Sequence, residues 1–427
     1  MKIIGIDIGT TSICGVCTDS ENGSILRSVT MKNDSFIRTD NDFERIQDVG
    51  RIMDTVYSVL DELEAEKASA IGFSGQMHGV LYTDASGNAV SPLYTWQDER
   101  ANLEYKIGKT YAEHLGAHAG YGLATDFYNS VNGLVPDNAE YLCTVADYAA
   151  MKICGNSKPV CHITNAASLG CFDVRNNRFT VQNSRLPEVV SDFTVCGKYR
   201  GVPVSAALGD NQASFIGSVR NSNDALLNVG TGAQISWLSD EIPESEAVEA
   251  RPFDGKRFLA AGCSLCGGRA YAMFEKFCRE IAEAAGVNID SFYPMLDKML
   301  ENKDSSELSA DCRFCGTRND PAIRGSYFNV SENNFTPSDF AFATLDGMAQ
   351  ELFDMYSGKA GGLVCSGNGI RKNAALRRIV SEKFGCEIKI PFYEEEAAYG
   401  AALSASVASG ICSDIDAACS KIKYKDD

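Results

Sequence analysis

Positive charge is what this 427-residue sequence most lacks: Lys and Arg total 39 against 57 Asp and Glu, a formal net charge of -18 at pH 7. Nucleic acid and anionic membrane surfaces both need a basic footprint, so neither is expected as a partner. No apolar run reaches membrane-spanning length. The opening Met1-Lys2-Ile3-Ile4-Gly5-Ile6-Asp7 meets an acidic residue too early for a secretory apolar region, and a cytoplasmic location is expected. Familiar nucleotide motifs are missing too. Gly108-Lys109-Thr110 ends like a P-loop, but Leu103 stands where the leading glycine belongs. Gly367-Asn368-Gly369 opens like a dinucleotide fingerprint, but Lys372 occupies the place of the third glycine.

Cysteine is abundant, at 16 residues, yet without a secretory segment these read as reduced thiols. The Cys-x-x-Cys pairs Cys14/Cys17, Cys263/Cys266 and Cys312/Cys315 are read as small buried or loop residues, the last two being too far apart for a zinc ribbon. Histidines number four. His114 and His118, at i and i+4, lack the glutamate of a zinc-protease helix and are expected on a solvated helix face.

What is present is a repeated device. Ile4-Gly5-Ile6-Asp7-Ile8-Gly9-Thr10-Thr11-Ser12-Ile13 and Leu226-Leu227-Asn228-Val229-Gly230-Thr231-Gly232-Ala233-Gln234-Ile235 each alternate branched apolar residues, stop at Gly-Thr and resume. That pattern predicts strand, tight turn and strand. Glycine permits close approach of an anion, while the following N–H groups and hydroxyls supply donors. Two such hairpins in one chain predict an internally duplicated architecture with a phosphate site.

Around them, helix and strand alternate. The stripe Phe43, Ile46, Val49, Ile52, Val56, Val59 and Leu63 predicts a helix leading into a strand at Ala70-Phe73. The C-terminal half repeats the theme: helix near Phe340–Met355, strand Gly362–Cys365, helix Asn373–Lys383, strand Glu387–Ile390 and an alanine-rich helix through Ala397–Ala408. Residues 286 to 320 are the least patterned and predict an irregular excursion. The polar stretch Arg220-Asn221-Ser222-Asn223-Asp224 divides an N-terminal domain, 1–220, from a C-terminal domain, 221–427.

The candidate chemistry lies at Val202-Pro203-Val204-Ser205-Ala206-Ala207-Leu208-Gly209-Asp210-Asn211-Gln212. Asp210 alone reads as a helix N-cap. Asp7 gives it a second reading, because two carboxylates beside glycine turns suit one magnesium ion and the activation of one hydroxyl.

With Ser74-Gly75-Gln76-Met77-His78-Gly79, Thr95-Trp96-Gln97-Asp98-Glu99-Arg100, Asn165-Ala166-Ala167-Ser168, Gly209-Asp210-Asn211-Gln212, Arg324-Gly325-Ser326 and Tyr399-Gly400-Ala401-Ala402, the chain resembles the FGGY carbohydrate kinases over nearly its whole length. The resemblance implies an α/β fold of two duplicated ribonuclease-H-like domains, of the actin, hexokinase and Hsp70 type, with a nucleotide cleft between them. It implies ATP and Mg2+ as cofactors, a small-molecule ketose as partner, and is compatible with a homodimer. Asn165-Ala166-Ala167-Ser168 and Asn334-Phe335-Thr336 favour the heptulose branch, hence sedoheptulose as acceptor, over xylulose or another pentulose or polyol. A non-catalytic nucleotide switch of the actin or Hsp70 kind is the alternative of a different class, though it would have no use for a sugar segment.

By the same resemblance, Asp210 is the catalytic base and Asp7, with Asp210, serves the metal, Asp7 acting through water. Gln76, Met77, His78, Trp96 and Asn211 would contact sugar. Thr10, Thr11, Ser12, Gly230 and Thr231 would orient the phosphates, and Gly267, Gly268, Gly367, Asn368 and Asn373 would line the nucleotide side. For His78 alone, a satisfied core histidine is the default reading, and its place in Gln-Met-His-Gly is what points to substrate. Asp98 and Arg100 read equally as a structural pair or as sugar contacts. The chain departs from the family in its compactness and in Ser366-Gly367-Asn368-Gly369, which replaces the usual glycine triplet.

Overall fold

The computed structural model describes every residue except 319, 359, 360, 426 and 427. Two compact units emerge. The first comprises residues 1–221, 251–258 and 395–423, and the second 222–250, 259–394 and 424–427. Their boundary at 221/222 falls in the polar stretch, while two later segments of the chain also pack with the first unit.

The first unit is built on β1 (Lys2–Ile8), β2 (Ser12–Asp19), β3 (Ile25–Lys32) and β4 (Ala70–Gly75), extended by β5 (Val195–Tyr199) and β6 (Val202–Ser205) in the spatial order β5-β6-β4-β1-β2-β3. The short β7 (Leu208–Gly209) also pairs with β4. The central strand β1 runs antiparallel to β2 and parallel to β4, and Ile3, Ile4, Ile6 and Ile8 are buried. A strand covered on both faces is expected to be apolar throughout rather than alternating.

The second unit repeats that plan. It uses β8 (Ala225–Val229), β9 (Ala233–Ser239), β10 (Val248–Pro252), β11 (Phe258–Ser264), β12 (Leu363–Ser366) and β13 (Ile388–Lys389), in the order β10-β11-β9-β8-β12-β13. Here β8 is antiparallel to β9 and parallel to β12, as β1 is to β2 and β4. The expected hairpins are therefore the cores of two sheets of like topology.

Helix α1 (Val49–Glu62) is capped by Asp48, whose side chain accepts from the Arg51 N–H, and covers the first sheet with Ile52, Val56, Val59 and Leu60. It begins later than the apolar stripe, because Ile46 pairs with Tyr94 in a short ladder. Helix α2 (Asp210–Ser218) and α3 (Glu396–Ala408) touch where both carry glycine. A Cβ on Gly217 would lie 1.9 Å from the Glu396 carbonyl oxygen, and one on Gly400 would lie 1.8 Å from that of Ala213. Helix α3 therefore joins the first unit by backbone contact that no larger residue permits.

Two other expectations differ from the fold. Within 286–320 the chain forms a helix, Tyr293–Leu300, and a strand, Ser309–Asp311, paired with Ser326–Phe328. Leu296 and Leu300, one helical turn apart, are fully buried and supply the apolar anchor that its polar composition hides. His114 and His118 do not share a helix face. Gly116 ends the helix Tyr111–Leu115 in the left-handed conformation, and the His114 ring packs against Tyr105 and Phe127.

Candidate active site

Asp7 and Asp210 converge at one end of the first sheet. Asp7 lies on β1 beside the turn glycine and accepts a hydrogen bond from Ser74 Oγ, its register partner on β4, at 2.7 Å. Asp210 is the first residue of α2, but it does not cap that helix: Gly209 occupies the N-cap and no side chain closes it. The carboxylate is thus left for other work, at the positive end of a helix dipole. Burial pushes the Asp7 carboxyl up to about 6, with Glu395 adding repulsion and the Ser74 hydroxyl opposing. Asp210 is pushed up to about 7, by burial first and by Asp7 second, while the Arg251 guanidinium pulls it down. Two protein-enclosed carboxylates that repel one another form an oxygen donor set suited to a hard divalent cation, which commonly takes one or two carboxylates and keeps water and phosphate as its other ligands.

Thr164, which the sequence did not single out, and Asn165 of the Asn-Ala-Ala-Ser motif hold the Asp210 turn. The Gly209 N–H donates to Thr164 Oγ1 at 3.1 Å. Asn165 Nδ2 donates to the Ala207 carbonyl at 3.2 Å and to Asp147 Oδ1 at 2.9 Å. Asn165 thus belongs to the scaffold of the Asp210 turn. Thr164 adjoins the Asn-Ala-Ala-Ser motif and was legible by proximity, whereas Arg251 follows the second hairpin in sequence and gave no local signal.

The sugar-segment residues divide by what they touch. Gln76 is buried: its Nε2 donates to Gln47 Oε1 at 2.9 Å, and its Oε1 faces Thr10 Oγ1 at 3.5 Å. Met77 is also buried, with its sulfur 3.3 Å from Asn211 Nδ2, and the same amide donates to Asp210 Oδ1 at 3.0 Å. These residues brace the acid pair and the first hairpin. Trp96 is 46% exposed, and its indole N–H donates to Thr10 Oγ1 at 3.0 Å, leaving an aromatic face beside the turn. Thr11 is exposed and Ser12 half-buried where the hairpin enters β2, and the Thr11 carbonyl accepts from the Asn33 N–H.

His78 is held in an unusual backbone state, with φ at +72°. Its N–H donates to Ser168 Oγ at 3.2 Å, and its ring stacks on Tyr121 at 4.4 Å between centroids. Nδ1 lies 2.9 Å from the Ser168 carbonyl oxygen, which can only accept, so Nδ1 carries a proton and donates. This left-handed backbone at a non-glycine residue is held by contacts to two neighbours, Ser168 and Tyr121. Asp98 and Arg100 resolve as a buried pair. Arg100 Nε and Nη2 donate to the two Asp98 oxygens at 2.6 and 3.1 Å, Nη1 donates to Asn129 at 2.9 Å, and the guanidinium lies 4.2 Å over the Tyr94 ring.

The second unit holds a cavity of about 610 Å³, lined by Gly230 and Thr231 of its hairpin, by Gly268, Asn368 and Asn373, and by Tyr271 among other apolar side chains. Its volume and mostly apolar lining suit a nucleoside. Gly267 and Gly268 open the helix Gly267–Ala284 directly under the hairpin: the Gly268 N–H donates to the Gly230 carbonyl at 2.9 Å, and a Cβ on Gly267 would lie 2.5 Å from the Gly232 backbone. Gly367, with φ at +84°, turns β12 into the following helix, whose Asn368 and Gly369 line the cavity. The Asn373 side chain caps the next helix, accepting from the Leu376 N–H at 2.8 Å, so part of its hydrogen bonding is structural. Tyr271 and Tyr293 were not foreseen; nothing in a single aromatic on an amphipathic helix distinguishes a pocket wall from core.

Among the described residues, no helix is long and apolar enough to cross a membrane, and no three His, Cys, Asp or Glu side chains form a metal cluster.

Comparison with known proteins gives a consistent family. The model for the FGGY family of carbohydrate kinases, N-terminal domain, matches residues 2–217, and that for its C-terminal domain matches 225–409. The chain is 26% identical to sedoheptulokinase of Mus musculus, over 94% of this chain and 96% of the relative. It is 23% identical to xylulose kinase of Staphylococcus epidermidis, over 96% and 88% respectively. A solved xylulose kinase from Lactobacillus acidophilus shares its fold with a TM-score of 0.83 at 19% identity, covering 99% of this chain and 92% of that one. The architecture is that of the actin and hexokinase class, with a ribonuclease-H-like sheet in each unit.

Proposed function

Because the chain belongs to the FGGY family of carbohydrate kinases, we propose that it transfers the γ-phosphoryl group of ATP to the terminal hydroxyl of a ketose, with sedoheptulose giving sedoheptulose 7-phosphate. The observation that carries the kinase reading is Asp210, a carboxylate at a helix start that caps nothing, set beside Asp7 and braced by Thr164 and Asn211.

In this reading, Asp210 accepts the proton of the acceptor hydroxyl as that oxygen attacks phosphorus. An ionised carboxylate of modest basicity suffices, because the transition state is loose and positioning dominates. Asp7 and Asp210 would hold Mg2+, which supplies positive charge to the phosphates when bound. Thr10, Thr11 and Ser12 of the first hairpin offer hydroxyls and N–H groups suited to phosphate oxygens, and in the second unit Gly230 and Thr231 offer the same chemistry at the cavity. The adenosine occupies the second unit's cavity against Gly268, Asn368 and Tyr271. The His78 ring meets a sugar hydroxyl, and the exposed Trp96 face covers apolar carbons of the sugar.

The heptulose assignment is supported by the similarity to mouse sedoheptulokinase and by the Asn165–Ser168 segment, whose last residue fixes His78. Similarity to xylulose kinase favours a pentulose as the second reading. A coupled ADP-release assay over ketoses and polyols tests both. Sedoheptulose should give the highest kcat/KM, since a site with partners for extra hydroxyls leaves them unpaired when a shorter sugar binds, at roughly 1–3 kcal/mol per group. A higher kcat/KM for D-xylulose or glycerol overturns the heptulose assignment and leaves the kinase standing.

A further inference from the structure

Cysteines 266 and 315 come together in the second unit, although neither Cys-x-x-Cys spacing pairs them. Cys315 is partly exposed, and Arg269 Nη1 donates to its sulfur at 3.4 Å. Cys266 is buried immediately before the helix Gly267–Ala284 in the core against which Cys315 packs, and the two thiols are near enough to perturb one another. The nearer Cys312 in sequence points elsewhere, donating to the Thr344 carbonyl at 3.3 Å. The guanidinium and the Cys266 thiol draw the Cys315 thiol below its usual range, whereas burial pushes Cys266 up to about 11. A partly exposed sulfur held by a guanidinium that favours its ionisation, next to a second thiol that burial keeps protonated, is the arrangement of a reactive cysteine with its resolving partner.

We propose that Cys315 and Cys266 form a hydroperoxide-sensitive dithiol whose oxidation weakens nucleotide binding by the second unit. The Cys315 thiolate attacks one oxygen of hydrogen peroxide. The S–O bond forms as the O–O bond breaks, sulfur loses two electrons, and the hydroxide that leaves takes up a proton as water. Cys266 then loses its proton and attacks the Cys315 sulfur, forming the disulfide and expelling the hydroxyl as a second water. A dithiol reductant reverses the change by exchange, becoming a disulfide itself.

The link reaches the nucleotide side because no slack separates them. The Arg269 N–H donates to the Thr231 carbonyl at 3.0 Å and the Gly268 N–H to the Gly230 carbonyl at 2.9 Å. Gly230, Thr231, Gly268 and Arg269 all line the cavity. Drawing Cys266 toward Cys315 moves Gly267, which already lies against Gly232, and removes the sulfur partner that fixes Arg269. This consequence rests on the proposed nucleotide role of the cavity; the dithiol does not.

The test treats the whole reduced protein with hydrogen peroxide, maps its disulfides by mass spectrometry and measures ATP binding by calorimetry. A Cys266–Cys315 linked peptide is expected, with ATP affinity falling about fivefold or more and recovering with dithiothreitol. Cys315→Ser and Cys266→Ser should bind ATP normally and keep that affinity under peroxide, and Cys266→Ser should yield a dimedone adduct on Cys315. Cys154 and Cys196, whose thiols also adjoin in the first unit, serve as the internal reference. Absence of the 266–315 link, or equal peroxide sensitivity in Cys315→Ser, overturns the dithiol. A link that leaves ATP affinity unchanged overturns the coupling, and a link in a protein that binds no ATP even when reduced overturns the nucleotide assignment alone.

Discussion

Asp7 in the first unit and Asn228 in the second occupy the same place on the same scaffold. Each stands two residues before the turn glycine, on the central strand, in register with a serine of the parallel neighbour, Ser74 or Ser366. In the first unit, Ser74 Oγ donates to the Asp7 carboxylate at 2.7 Å; in the second, Asn228 Nδ2 donates to Ser366 Oγ at 2.8 Å. One sheet plan therefore carries a charge in one copy and a neutral amide in the other. The charged copy suits a cation and a proton acceptor. The neutral copy suits holding an anion, because an uncompensated carboxylate there would repel phosphate.

The largest effect is expected from Asp210→Asn, which retains the shape of the charged copy without its base. Turnover should fall about 10²-fold to 10⁴-fold with the KM for ATP little changed, and steady-state kinetics with near-normal kcat would remove Asp210 from the mechanism.

Histidine separates the units as well, since all four lie in the first. His162 is fully buried against Ser191, and burial depresses it to about 4 despite the opposing Ser191 carbonyl and Asp254. It folds neutral, so its contribution is complete above the unfolded value near 6.5 and is lost as pH falls to about 4. That amounts to roughly 3 kcal/mol. The raised carboxyl of Asp147, at about 6, acts in the opposite direction. Urea midpoints of the parent and His162→Gln across this window should therefore diverge, the parent losing more; parallel curves would refute the assignment.

Gly400→Ala probes the seat of the Asp210 helix. With only 1.8 Å available to the new methyl group, the helices must part, at a cost of about 1–3 kcal/mol in denaturant unfolding and with a loss of turnover. Unchanged stability would mean the contact is looser than described.

Asp7→Asn writes the second unit's residue into the first. The Mg2+ concentration for half-maximal rate should rise about 10-fold to 100-fold, and an unaltered metal titration would detach Asp7 from the cation. The converse, Asn228→Asp, should be the mildest: the Ser366 hydroxyl can turn to donate, and the KM for ATP should rise roughly tenfold through like-charge repulsion. An unchanged KM would separate the second hairpin from phosphate.

The sequence by itself determined the duplicated hairpins, the helix and strand alternation around them and the positions of Asp7 and Asp210. Those features depend on local patterns: apolar runs that must be buried, glycine turns and short sequence separations. Tertiary structure decided the rest. Gln76 and Met77, read as sugar contacts, are buried with Gln47, Thr10 and Asn211 as neighbours, partners that no local pattern announces because the direction of a side chain depends on what packs behind it. Thr164 reaches Gly209 from 45 residues away in sequence, and the pairing of Cys266 with Cys315 overrides both Cys-x-x-Cys spacings. The cap reading that Asp210 invites on its own was ruled out only by the backbone, which gives that place to Gly209. A carboxylate's use, as cap, brace or base, is fixed by partners that meet it only after the chain has folded, and no local spacing records them.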